Sequence, residues 1–145
     1  MIGWIALAIT VLVFVPIALR IDDWGRDWTK NMASLEADAK RDGLRPVELD
    51  CDVPEAQSRL RRWVQSQPNW DIVAEDPPGE SPLRLKLTRT TRLMRFVDDV
   101  EVTIGPRTDA PGVIIYATSK SRIGKGDLGQ NPRNLIELTD GLRGE

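Results

Sequence analysis

The stretch SPLRLKLTRTTRLMRFVDDVEVTIGP, residues 81–106, decides the fold. Leu83, Leu85 and Leu87 alternate with Arg84, Lys86 and Thr88, and Val100, Val102 and Ile104 repeat that pattern before Gly105-Pro106 ends it. Side chains on a strand point alternately to opposite faces, so each run carries one apolar face and one polar face. Two such runs in succession predict antiparallel strands with one side buried.

The same reading extends outward in both directions. Gly112–Thr118, a β-branched and aromatic run bounded by Pro111, predicts a further strand. Upstream, Trp70–Ala74 predicts a short strand, separated from Leu83 by the turn-forming PPGESP segment at 77–82. Val47–Cys51 predicts the first strand. Asp52 then caps a helix that has Pro54 in its first turn, where the missing amide has no partner to lose. Ala56, Leu60, Trp63 and Val64 fall at i, i+4, i+7 and i+8, one apolar stripe that belongs in a core. The flanking Arg59, Arg61 and Arg62 read as a solvated face rather than a phosphate site. Near the end, Asn131 caps a second helix with Pro132 at its first position, and Leu135, Leu138 and Leu142 line one side. The order β-α-β-β-β-β-α predicts an α+β fold: an antiparallel sheet of about five strands with both helices on one face. This domain spans 46–145. Residues 22–45 are polar and form a connector, with one helical turn suggested by the spacing of Trp24, Trp28, Met32 and Leu35.

Residues 1–21 differ in kind. From Ile2 to Leu19 the chain carries no charge, and about 18 residues at 1.5 Å rise cover most of a hydrocarbon core of roughly 30 Å. Trp4 at one end, and Trp24 and Trp28 past the other, suit interfacial positions, and Pro16 bends a membrane helix without ending it. A cleaved signal peptide is the competing reading, but the basic leading region and small-residue cleavage site are missing. The expectation is a retained transmembrane anchor that contacts membrane lipid and, through residues 1–21, other integral-membrane subunits. Arg20, Arg26 and Lys30 follow the span, so the charge count alone favours a cytoplasmic domain.

Composition excludes several functions. Of 145 residues, 20 are basic and 22 acidic, a net charge of −2 that gives no basic field for a nucleic-acid backbone. Histidine is absent, which removes the commonest general base and the commonest metal ligand together. The single cysteine, Cys51, can form neither an internal disulfide nor a thiolate zinc cage and reads as a small apolar residue. No catalytic residue, metal ligand or cofactor motif is expected, and the domain reads as a binding or assembly module rather than an enzyme.

The densest polar constellation is SKSRIGKGDLGQN at 119–131. Gly124, Gly126 and Gly129 allow tight turns; Lys120, Arg122 and Lys125 supply charge; Ser119 and Ser121 supply hydroxyls; Asn131 opens the helix. Such a loop before a helix amino terminus can hold a phosphate, carboxylate or lipid headgroup, although it is not a Walker loop. The alternative is a structural loop whose glycines take left-handed conformations and whose Arg122 pairs with a carboxylate. Asp98 and Asp99 offer that carboxylate. As strand neighbours they point apart, so one ties down the loop, the other sits in solvent, and no metal is shared. A Ser-Lys hydrolase using Thr90, Thr91, Ser119 or Ser121 with Lys120 or Lys125 is a third, weaker alternative.

The runs FVDDVEVTI and SKSRIGKGDLGQNPRN, with RDWTKNMA upstream, resemble the uncharacterised family catalogued as domain of unknown function 1499, over about residues 24–143. By that resemblance Asp98, Asp99, Arg122, Gly124, Asp127, Gly129 and Asn131 are signature positions without an assigned role. Many relatives carry arginine where Thr118 stands, which takes one charge from any anion site here. Others have a lipidated cysteine in place of a membrane helix. Relatives are exported or lumenal, which implies a periplasmic or lumenal domain, against the charge count. An accessory or assembly subunit of a larger integral-membrane complex, photosynthetic or respiratory, is the function these features jointly suggest.

Overall fold

A computed structural model describes residues 2–18, 31–92, 95–123 and 129–144. The elements are α1 (Ile2–Ala18), β1 (Met32–Ser34), a 3-10 turn (Asp42–Leu44), β2 (Val47–Leu49), α2 (Val53–Ser66), β3 (Trp70–Glu75), β4 (Leu83–Thr90), β5 (Val97–Pro106), β6 (Val113–Ser121) and α3 (Gln130–Gly144). The six strands form one antiparallel sheet in the order β1-β6-β5-β4-β3, with β2 also paired to β6.

The alternation over 83–106 has the consequence expected of it. Leu83, Leu85 and Leu87 pair with Ile104, Val102 and Val100, and all six are at most 1% exposed. Burying a leucine side chain contributes about 1.5–3 kcal/mol. Their inner face is covered by Ala56, Leu60, Trp63 and Val64 of α2 and by Leu135, Leu138 and Leu142 of α3, all in one core cluster. Asp52 caps α2 by accepting from the Glu55 amide at 2.9 Å. The neighbouring arginines pair with acids, Arg59 and Arg62 with Glu55 and Arg61 with Glu75. The outer face carries Arg84, Lys86, Glu101, Tyr116 and Lys120 in the open.

Six strands replace the expected five because Met32–Ser34 is a strand, not a helical turn. β2 covers only Val113–Ile115 of the β6 edge, and β1 covers Thr118–Lys120. An uncovered edge would leave a row of unpaired backbone groups, and two short strands in tandem satisfy it. Leu35 and Leu44, on either side of the short link to β2, are buried in the core. The expected strands also change length: β3 and β4 run on to Glu75 and Thr90, β5 begins earlier, at Val97, β6 runs on to Ser121, and β2 stops at Leu49. Cys51 lies beyond β2, half-buried before α2, and burial pushes its thiol pKa up.

Among the described residues no helix is long and apolar enough to cross a membrane. α1 has 17 residues, about 25 Å at 1.5 Å each. Trp4, Ile5, Leu7, Val11, Leu12 and Val15 on it stand exposed, Trp4 at 78% and Leu12 at 76%. Leu19, Arg20 and Ile21, and the expected interfacial Trp24 and Trp28, lie outside the described residues.

Candidate functional site

The apolar inner face changes character at one end of the sheet. Counting by two along β6, Val113, Ile115 and Ala117 are followed by Ser119 and Ser121, and on β5 the last inner residue before Val100 is Asp98. Asp98 lies opposite Ser121 in the ladder. The first turns of α3 lay Asn131 and Asn134, three residues apart on one helical face, over these positions.

The five side chains form a buried hydrogen-bonded cluster. Ser119 Oγ donates to Asn131 Oδ1 at 2.6 Å, and Asn134 Nδ2 donates to Ser119 Oγ at 3.1 Å and to Asp98 Oδ2 at 2.8 Å. Asn131 Nδ2 donates to Ser121 Oγ at 3.1 Å and to the Asn31 carbonyl at 2.8 Å. The Ser121 amide donates to that same carbonyl at 3.0 Å. Asn131, Asn134 and Ser119 are 0% exposed and Asp98 1%. Buried polar groups cost free energy unless paired. Here they pair with one another and, through Asn31, with the residue where the chain enters β1. Arg89, across the ladder from Asp98, adds a cation at this end and pairs with Glu137 at 3.5 Å.

Asp99 points to the outer face, where Arg122 grips it. Arg122 Nη2 donates to Oδ1 at 2.6 Å and Nε to Oδ2 at 2.9 Å. These hydrogen bonds hold the Asp99 carboxyl below its ordinary pKa and raise that of Arg122. A depressed acid contributes stability that is complete above its unfolded pKa and disappears as pH falls through the folded one. The stability difference between wild type and Asp99→Asn should therefore be constant at neutral pH and shrink once pH drops below the ordinary carboxylate range. Urea denaturation of both at a series of pH values measures this.

The expected loop residues are thus divided. Ser119, Ser121 and Asn131 face inward, Lys120 and Arg122 face outward, and Arg122 is occupied by Asp99. Gly129 takes a left-handed conformation, φ 75°, while Gly124, Lys125, Gly126 and Asp127 lie outside the described residues. Two expectations need correction. Asp98 is not in solvent, because β5 extends far enough for it to fall on the inner face beneath α3. Asn131 lies one residue inside α3 rather than before it, and its side chain bonds Ser119, Ser121 and Asn31. Lys120 is on the opposite face from Ser119 and Ser121. Thr118, also on the outer face, shares a 3.0 Å hydrogen bond with Ser34 of β1.

Asn31, Asn134 and Arg89 were not anticipated. Asn134 had a signal, since it stands one helical turn after Asn131 in an otherwise leucine-lined face. Asn31 had none, because its carbonyl meets a side chain 100 positions away. Among the described residues no group of three or more His, Cys, Asp or Glu is placed to hold a metal ion. An open groove of about 700 Å³, lined by Cys51, Asp52, Pro106, Pro111 and Gly112 among others, lies at the other end of the sheet from the polar cluster.

The fold and cluster together define an α+β domain with one helix-covered face and a sealed polar knot at the entry of its first strand. Residues 27–142 match the family model described as Protein of unknown function (DUF1499), and the chain belongs to that family. Comparison with curated proteins and with solved structures returned no match.

Proposed function

We propose that this chain is a membrane-anchored, non-enzymatic interaction domain, an accessory or assembly subunit of a larger integral-membrane complex. The observation that carries this reading is α1. It is apolar on every side, and Trp4, Ile5, Leu7, Val11, Leu12 and Val15 are all exposed. A helix of that composition needs an apolar environment all round, and those six side chains lie open. Its 17 residues reach about 25 Å, approaching the hydrocarbon thickness of a bilayer. In a membrane it anchors the domain, and its side chains are free to pack against other spanning helices.

The domain itself supports assembly over ligand binding. The signature residues Asp98, Asp99, Arg122 and Asn131, and the loop hydroxyls of Ser119 and Ser121, are taken up in internal hydrogen bonds. An anion at this loop would have to compete with Asp99 for Arg122. A Ser-Lys reaction pairing Lys120 with Ser119 or Ser121 would need the lysine to reach across the sheet. Following the export that the family resemblance implies, the domain faces the extracytoplasmic side.

Sizing of the native protein in mild detergent tests this reading. It should sediment with the membrane fraction through an alkaline carbonate wash and, once solubilised, migrate in an assembly much larger than its 16.3 kDa. A protein that washes off, or that runs only as a monomer, contradicts the reading.

A further inference from the structure

The end of the domain that carries the polar knot is also where the anchor enters. Asn31 is bonded there to Ser121 and Asn131, and twelve residues, 19–30, separate it from α1. Fully extended, they span at most about 45 Å. Two large apolar side chains are exposed at this end, Phe96 at 46% and Ile123 at 69%. The Arg122 amide donates to the Val97 carbonyl at 3.3 Å, which places Phe96 and Ile123 as flanking residues at the end of the β5–β6 ladder. Arg92 and Arg95 beside them are exposed, as is Lys120 on the outer face. Arg95 holds a left-handed backbone, φ 56°, in a loop closed by hydrogen bonds between Thr91 and Phe96.

The opposite end is mostly acidic. Its loops present Asp50, Asp52, Glu80 and Asp109, all exposed, against the cation Arg107, which pairs with Asp109 and Glu48. In a chain of net charge −2, a basic, apolar-tipped end beside the tether and an acidic end away from it form a polarity with a direction. Apolar side chains ringed by arginines suit the interfacial layer of a bilayer, where rings and aliphatic chains enter and guanidinium groups stay among anionic headgroups.

We infer that this end seats on an anionic lipid surface, with Phe96 and Ile123 in the interfacial layer and Arg92 and Arg95 against the headgroups. The inference rests on the membrane reading of α1 and adds to it an orientation for the domain. A surface patch of this size binds weakly alone, but the tether confines it near the bilayer and raises its effective concentration there.

The test uses the full chain reconstituted into vesicles of neutral lipid, with or without about 30 mol% anionic lipid. Polarity-sensitive fluorophores are attached at Ile123→Cys, at Phe96→Cys and, as a distal control, at Glu80→Cys, each in a Cys51→Ala background. Quenching by lipids labelled in the upper acyl chain should be strong at 96 and 123 and absent at 80. It should grow with anionic lipid and fall in high salt. Arg92→Ala and Arg95→Ala should each lower the docked-to-undocked ratio about fivefold. Vesicle-bound protein with equal quenching at 80 and 123 overturns the docking and leaves the anchor standing. Protein that does not float with vesicles overturns both. Probes at 96 and 123 that are shielded equally in detergent, and exposed on dilution, assign the patch to a second copy of the chain instead.

Discussion

Asn131→Leu should lower the unfolding free energy of the domain by about 3–5 kcal/mol, a large part of the roughly 5–15 kcal/mol typical of a domain. Leucine branches at Cγ as asparagine does and is the larger residue, so no cavity opens, and the loss comes from stranded hydrogen-bonding groups with some overpacking added. Asn131 accepts from Ser119 at 2.6 Å and donates to Ser121 at 3.1 Å and to the Asn31 carbonyl at 2.8 Å. Its removal leaves Ser119 and Ser121 hydroxyls sealed under α3 with fewer partners, and each stranded group costs about 1–3 kcal/mol. Denaturant titration measures the total. Hydrogen exchange adds a local readout: the Ser121 and Leu35 amides, which hold the β1 segment to the sheet, should lose protection ahead of Val102 in the sheet centre. A variant as stable as wild type would mean that the knot is not what fastens the entry strand.

Gly141→Ala should be nearly as damaging, for a different reason. A Cβ at 141 would lie 1.9 Å from Trp63 Nε1 and 2.4 Å from Cδ1 and Cε2. The indole has nowhere to retreat: Trp63 is 5% exposed and meets Trp70 edge-on, ring centroids 5.0 Å apart. α3 must therefore lift from α2 or Trp63 must leave its place, at a cost of about 3 kcal/mol or more. The usual benefit of alanine over glycine in a helix, about 1 kcal/mol, does not offset this. Gly144→Ala, with open space around its Cβ, is the control and should change stability by under about 0.5 kcal/mol. A drop in Tm on the order of 10 °C or more for Gly141→Ala, with the control unchanged, is the expected pattern. Equal behaviour of the two variants would show that the α2–α3 contact is looser than described.

What was legible in the sequence follows from how local each pattern is. The leucines at 83, 85 and 87 and the stripe at 56, 60, 63 and 64 declare their faces within a few residues, because burial on one side imposes a period. The Asp52 cap was legible for the same reason: its partner is three residues away. β1 was not. Three residues are too few to show a period, and they form a strand only because β6 has an open edge some 85 positions later. The polar knot lay between these cases. Ser119 and Ser121 share the parity of Val113, Ile115 and Ala117, so their inward direction was readable, as was the partnership of Arg122 with one of two adjacent carboxylates. Which carboxylate went inside depended on how far β5 extended towards residue 97. The knot's other members came together only when α3 docked.

Under the proposed reading, the polar residues of the knot serve the domain's own architecture, and its working surfaces are the anchor and the face beside it. Gentle affinity purification of the tagged full-length protein from its native membrane, with mass spectrometry of what co-purifies, tests this most directly. The account predicts stoichiometric recovery of the subunits of one integral-membrane complex, lost when residues 1–21 are exchanged for an unrelated membrane span. Recovery of this protein alone, under conditions that keep neighbouring membrane complexes intact, would contradict it.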